Sequence, residues 1–427
     1  MKIAEIHKLF LESSGITIDT RKIQFNSLFV ALKGERFDAN SFAKEAIEKG
    51  ARYVIIDNKD YYIDAKTIVV DDCLSTLQEL AKYHRTYLKI PIIALTGSNG
   101  KTTTKELIHS VLSKKYNTKA TFGNLNNHIG VPLTLLSFDD NTDIGIVEMG
   151  ANHQKEIEFL CAIALPDYGY ITNFGKAHLE GFGGVEGVIK GKSEMYAYLE
   201  HNHKKVFINF DDSIQEEKTK SIERITFSRF NKNCTIYINN IIANPFVEIT
   251  FDNIIIKSKL IGLYNANNIN AAITIGSYFG VSDKAIKEAI ESYIPENNRS
   301  QLLSKNTNEI ILDAYNANPS SMKVALENFI QLDKPNKVII IGDMFELGEE
   351  SLKEHKYIVN YLNNNNAQKC FFIGKDFFAT QEKNKNFQFY PDFESFIIFL
   401  KNNPFSNSTI LIKGSRGMAL ERTLDHI

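Results

Sequence analysis

The sequence predicts an α/β protein of three domains: a small N-terminal α/β domain, a central domain with a mostly parallel sheet of the P-loop type, and a C-terminal Rossmann-like domain. Three observations carry that expectation. A chain of 427 residues exceeds what one hydrophobic core usually serves. Short apolar runs alternate with helical patterns along most of it, and one of them, IIAL, opens through a glycine-rich turn into the helical pattern KTTTKELIHSVL.

Taken in order, LFVAL (Leu28 to Leu32), FAKEAIEKGA (Phe42 to Ala51), YVII (Tyr53 to Ile56) and TIVV (Thr67 to Val70) describe strands around a helix. TLQELAKYHRTYL (Thr76 to Leu88) reads as a helix and Pro91 precedes a new strand, which puts the first domain at 1–88. The central domain, 89–299, repeats strand, turn and helix through IGIVEMGA, YGYITNFG and KKVFINFDD. Within it Cys234 to Leu260 alternates β-branched and polar residues, predicting a small antiparallel patch, and Asn265 to Gly280 reads as helix. The third domain, 300–427, restarts the alternation with EIILDAY, KVIIIGDM, KCFFIG and STILIKGS.

Composition narrows the function. Lysine plus arginine (49) nearly balances aspartate plus glutamate (51), with no basic stripe, so nucleic-acid binding is not expected. The four cysteines lack zinc or disulfide spacing and read as buried, reduced thiols. No window has the length of apolar residues that membrane insertion needs, and the N-terminus lacks a signal-peptide pattern, so the expectation is a cytoplasmic protein, taken as a monomer.

The chemistry begins at Thr96, Gly97, Ser98, Asn99, Gly100, Lys101, Thr102 and Thr103. A glycine-rich turn entering a helix presents backbone N–H groups to an anion, Lys101 adds a point charge, and Thr102 a hydroxyl for Mg²⁺. The longer Gly-x-x-x-x-Gly-Lys-Thr form would need glycine at position 95, which is Leu95; this is the shorter Thr-Gly-x-x-Gly-Lys-Thr loop. ATP with Mg²⁺ is the expected ligand. Glu148 closes the next strand, where a carboxylate can bind the metal or simply face solvent. On its own His178 reads as a loop or packing histidine, and Lys192 as a surface lysine; beside Glu148 and Thr102, His178 becomes a candidate second-metal ligand.

The blocks TGSNGKTTTKE, GNLNNHIGVPLTLL, EMGANHQKEIEFL, TNFGKAHLEGFG and GKSEMY, followed by LDAYNANPSSMKVAL, IGDMFELGEES with His355, and ILIKGSRGMALE, resemble the Mur ligases of peptidoglycan synthesis. The NANP and ELG blocks resemble the branch that adds D-alanyl-D-alanine to UDP-MurNAc-tripeptide; the Asp-Asn-Pro-Arg motif of the diaminopimelate- or lysine-adding branch is missing. The resemblance implies an ATP-dependent amide ligase acting through an acyl phosphate. It places Lys101, Thr102 and Glu148 at the ATP phosphates and the first Mg²⁺, makes His178 and a carbamoylated Lys192 ligands of a second, brings Arg299 to the phosphates, and sets Asp313 at the ribose. Asn265 and Asn268 fall in the adenine block, with Tyr264 where histidine is usual. Thr20 and Arg21 fall on the UDP side, and Asn316, Asn318, Lys413, Ser415 and Arg416 on the dipeptide side. Read without the family, Thr20 and Arg21 form a capped turn, and the KGSR segment a strand-end turn. Such ligases close their domains around substrate, so an unliganded chain is expected to be open. Another Mur-type ligase, or a P-loop ATPase switch that needs no peptide acceptor, is the alternative.

Overall fold

The structure is a computed structural model that describes every residue except Arg36 and Asn297. Three main sheets follow one another along the chain. The first is four parallel strands ordered Ile16–Thr17, Leu28–Val30, Tyr53–Ile56, Thr67–Val69. The third orders Gln301–Lys305, Asn308–Asp313, Thr409–Lys413, Lys337–Gly342, Cys370–Ile373 and Phe387–Tyr390, parallel apart from the first strand.

The central sheet has nine strands, and its middle is Ile144–Glu148, Ile92–Thr96, Tyr168–Ile171 and Lys205–Asn209, all parallel. Ile92–Thr96 and Ile144–Glu148 are buried at every residue, because helices cover both faces and leave no solvent side for polar alternation. The antiparallel patch exists, as Ile236–Ala243, Phe246–Phe251 and Ile254–Ile261. It is not a separate unit: Ile236–Ala243 pairs in parallel with Glu223–Ser228 and extends the same sheet. Glu223–Ser228, Gln301–Lys305 and Phe387–Tyr390 were not expected from the sequence, since their apolar runs are short and mixed.

Helix Cys73–Leu88 ties the first sheet to the second. Asp72 caps it through Ser75 N at 2.6 Å, and it ends at Lys89 in the left-handed region, two residues before Pro91. Its inner face buries Leu77, Leu80, Ala81 and His84 at helical spacing. At its end the buried Arg85 donates to Asp167 Oδ2 at 2.7 Å and to the carbonyls of Ala164 and Leu165. Asp167 also accepts from Lys204 Nζ at 2.8 Å and from Ile92 N at 3.0 Å.

Cys73, Cys161 and Cys370 are buried as expected, but Cys234 is half-buried, its Sγ donating to Ile236 O at 3.0 Å; all four are free thiols. Among the described residues no helix is long and apolar enough to cross a membrane. Contrary to the open form expected, the third domain sits on the central one. Lys176 N donates to Ser320 Oγ at 2.8 Å, and Lys176 Nζ meets the buried Glu354 at 2.5 Å.

Replacing Asp167 by alanine strands the Arg85 guanidinium without its counter-charge. The variant is expected to lose about 3 kcal/mol, read as a lower urea midpoint for the central-domain transition.

Candidate active site

The loop between strand Ile92–Thr96 and helix Lys101–Leu112 turns through two glycines with positive φ, 147° at Gly97 and 79° at Gly100. Neither position has room for a side chain. A Cβ at Gly97 would overlap the Thr172 hydroxyl, and one at Gly100 would lie 2.6 Å from Asn268 Oδ1. The neighbouring strand's end clamps the loop: Thr172 Oγ1 and Asn173 Nδ2 donate to Asn99 O at 2.6 and 3.0 Å, and Ser98 Oγ donates to Gly175 O at 2.8 Å. The first-turn N–H groups, which have no partner within the helix, are thereby aimed as one anion-binding end. They face a cavity of about 1270 Å³ whose walls include Gln78 from the first domain, Lys101 and Glu148 from the second, and Arg299, Asp313 and Asn318 from the linker and the third.

Lys101 folds back over its own loop, Nζ to Gly97 O at 2.7 Å. Desolvation lowers its pKa; Glu148 opposes that shift and Arg299 adds to it. Glu148 is 2 % exposed, and both of its oxygens are engaged. Thr102 Oγ1 donates to Oε2 at 3.0 Å, Asn126 Nδ2 to Oε1 at 2.9 Å, and the buried Lys105 ammonium stands 3.8 Å from Oε2. Thr102 and Glu148 therefore offer adjacent hard oxygens to a small divalent cation. Among the described residues no three His, Cys, Asp or Glu side chains gather as a ready cage. Mg²⁺ takes one or two protein ligands and completes its shell from phosphate and water, and the Thr102–Glu148 pair can supply those ligands.

Lys192 is another buried ionisable residue of this domain. It lies on helix Val185–His201, fully buried, so the reading as a surface lysine fails. Its Nζ stands 5.3 Å from the centre of the Phe182 ring and has no hydrogen-bond partner among the described residues. Desolvation drives its pKa well below the usual lysine value; Lys101 adds to that shift and Glu156 opposes it. His178, in the left-handed region at φ 53°, turns its Nδ1 to Glu346 of the third domain. That bond holds the Glu346 carboxyl below its usual range. A histidine whose Nδ1 is fixed by a carboxylate keeps Nε2 for a ligand.

The remaining expected residues divide. Asn265 and Asn268 line the cavity but spend their side chains on scaffolding: Asn265 Nδ2 donates to Ile261 O at 2.8 Å, Asn268 Nδ2 to Asn265 Oδ1 at 2.9 Å, and Thr104 Oγ1 to Asn268 Oδ1 at 3.0 Å. Tyr264, where histidine was usual, meets Ser300 Oγ at 2.7 Å. Thr96, at the strand end, is fully buried, and Ser98, Asn99 and Thr103 line the cavity with the rest of the loop. Asp313 receives Ser300 N at 3.1 Å and Lys413 Nζ at 2.6 Å. Lys413 and Ser415 are buried, Ser415 Oγ accepting Phe345 N at 2.9 Å, which matches a structured strand end. Asn316 is exposed at the cavity, and Asn318 caps helix Pro319–Gln331 while donating to Asn99 Oδ1 at 2.7 Å. Arg416 is largely exposed and paired with Glu421 at 2.6 Å. Thr20 and Arg21 lie outside this cavity, on a turn capped by Asp19, with Arg21 paired to Asp19 at 2.8 Å. Three residues went unassigned from sequence: Lys105, Asn126 and Glu346. Lys105 was findable, four residues after Lys101 on the same helix face; Asn126 sits in a loop 22 residues from Glu148, and nothing in the sequence pairs them.

Known proteins resemble this arrangement over its whole length. Models described as Mur ligase family, catalytic domain, Mur ligase middle domain, and Mur ligase, glutamate ligase domain match residues 12–85, 95–276 and 298–416. The chain is 34% identical to the UDP-N-acetylmuramoyl-tripeptide--D-alanyl-D-alanine ligase of Bacillus subtilis (strain 168), over 95% of this chain and 91% of that one. The chain belongs to the Mur ligase family. Among solved structures, MurF from Acinetobacter baumannii is similar with a TM-score of 0.87 and 29% identity, covering 99% of this chain and 97% of that one. MurF from Thermotoga maritima in complex with ADP gives a TM-score of 0.84 at 25% identity, covering 98% and 97%. The middle-domain match of this Mur ligase takes in the phosphate loop, Glu148, His178 and Lys192 together.

Gly97→Ala puts a methyl group against Thr172 at a φ that non-glycine residues rarely adopt. Strain of roughly 1–3 kcal/mol in the loop is expected to weaken ADP binding about tenfold, measured by isothermal titration calorimetry, while the thermal transition of the third domain stays in place.

Proposed function

We propose that this Mur ligase joins D-alanyl-D-alanine to UDP-N-acetylmuramoyl-tripeptide in an ATP-driven step of peptidoglycan precursor synthesis, giving the pentapeptide nucleotide, ADP and phosphate. The observation that carries this reading is the cavity walled by all three parts of the chain. An amide ligase must bring a nucleotide, an acid and an amine to one point, and positioning of that kind supplies much of the rate. We assign residues 1–88 to the UDP-linked substrate, 89–299 to ATP and 300–427 to the dipeptide. ATP and a nucleotide-linked precursor meet in the cytoplasm, where we place the enzyme, acting as a monomer.

A carboxylate resists attack by an amine, so it is first activated. Its oxygen attacks the γ-phosphorus, the bond to ADP breaks, and an acyl phosphate forms. The dipeptide amine then attacks the acyl carbon, phosphate departs, and the amine's proton is lost. The loop N–H groups and Lys101 hold the phosphates in line, and Arg299 adds positive charge from the linker side. Asp313, which accepts from Ser300 N and Lys413 Nζ, would take the ribose hydroxyls. Thr102 with Glu148 would hold one Mg²⁺, and His178 with carbamoylated Lys192 a second, the ions neutralising charge on the transferring phosphoryl group. Carbamoylation needs a neutral amine, and the buried, unpaired Nζ of Lys192 meets that need. The amine attacks CO₂, one proton leaves, and the site gains an anionic oxygen pair beside Lys101.

Two experiments test this. Mass spectrometry of products from ATP, UDP-MurNAc-tripeptide and a panel of dipeptides should find the pentapeptide nucleotide with D-alanyl-D-alanine, phosphate release requiring both acceptors. ATP hydrolysis indifferent to either would make the chain a switch ATPase instead. Protein equilibrated with ¹³C-bicarbonate should give a carbamate carbon resonance that Lys192→Gln abolishes; an unchanged spectrum in that variant would remove Lys192 from the metal site.

A further inference from the structure

Arg299 comes off the linker between the second and third sheets and enters the cavity with Lys101. Its guanidinium carbon lies 3.7 Å from the centre of the Tyr315 ring, and its buried Nε has no hydrogen-bond partner among the described residues. A guanidinium held against a ring face, with no hydrogen bond at Nε, keeps N–H groups free for an anion, which a hydrogen-bonded or ion-paired arginine does not. The backbone that carries the ring is tied to the linker. Tyr315 N donates to Asn298 O at 3.2 Å, and Asp313, two residues earlier, takes Ser300 N. Arg416 places its guanidinium carbon 5.9 Å from the same ring centre, held by Glu421. One aromatic side chain at the end of strand Asn308–Asp313 therefore carries two cations, the nearer of which faces the phosphate loop.

We propose that Tyr315 is a positioning residue for Arg299: its ring sets the plane of the guanidinium so that the free N–H groups point at the nucleotide phosphates when the third domain is seated on the loop. This rests on the phosphate-binding role given to Arg299 above. The ring, and not the phenolic hydroxyl, does the positioning. Because Tyr315 belongs to the third domain and Lys101 to the second, the arginine reaches its working orientation as the Asn318–Asn99 contact forms.

Steady-state kinetics on the full chain, with ATP and both acceptors, test the idea. Tyr315→Phe is expected to keep kcat within about twofold of the parent, while Tyr315→Leu lowers kcat about tenfold with KM for ATP within about threefold. Arg299→Ala lowers kcat by itself, and adding Tyr315→Leu to it removes less than about twofold more, because the ring then has no cation to hold. Equal damage from Tyr315→Phe and Tyr315→Leu would overturn the proposal by moving the work to the hydroxyl. A raised KM with unchanged kcat would overturn it by making the ring a nucleotide contact. Full additivity of the two substitutions would also overturn it, and a simple fold defect in Tyr315→Leu shows itself that way, lowering kcat equally in both backgrounds. Parent-level kcat in Arg299→Ala would instead remove the role given to Arg299, a separate failure.

Discussion

A carboxylate taken out of water has to find partners for each of its oxygens, and much of the central domain is arranged around that demand at Glu148. Its partners come from three separate stretches: Thr102 and Lys105 one turn apart on the loop's helix, Asn126 from the next connection, and Thr121, whose hydroxyl accepts Glu148 N at 2.9 Å. Meeting those partners fixes how the helix Lys101–Leu112 sits against the sheet. That in turn fixes where its N–H groups aim. A phosphate site made of backbone cannot be adjusted by rotamers, so the surrounding side chains hold it from behind: Thr172 and Asn173 on one side, Asn268 on the other.

The same low-dielectric interior explains the lysines. Lys101 and Lys192 are both desolvated, and Lys101 further disfavours charge on Lys192, so a neutral amine at Lys192 relieves a repulsion that a second ammonium would maintain. Converting it to a carbamate would reverse the sign of that position. Under the proposed carbamoylation, the charge at this position would depend on a small molecule.

Contacts between the second and third domains fall on the functional motifs and not on neutral surface. Asn99 of the phosphate loop meets the cap residue Asn318; Lys176 and His178, from one glycine-rich loop, meet Glu354 and Glu346. The contacts between the two domains therefore hold the phosphate loop and the histidine loop together. Few of these are deeply buried apolar contacts. Polar contacts of this kind contribute modestly each.

The sequence by itself determined the elements and their order. Runs such as IIAL and KVIIIG are strands because a sheet covered on both faces demands continuous apolar residues, and the glycine-rich turn into a helix announces phosphate without further help. It also determined the family, through motif blocks spread over most of the chain. Tertiary structure alone decided which side chains share one space. Asn99 and Asn318 are 219 residues apart, and Lys105 and Asn126 matter because of Glu148, whose neighbours no periodicity reveals. It also decided a protonation-relevant fact: Lys192 reads like a surface lysine until Phe182 and Lys101 surround it. Local pattern follows from chain geometry within a few residues, whereas burial and charge depend on which distant segments arrive.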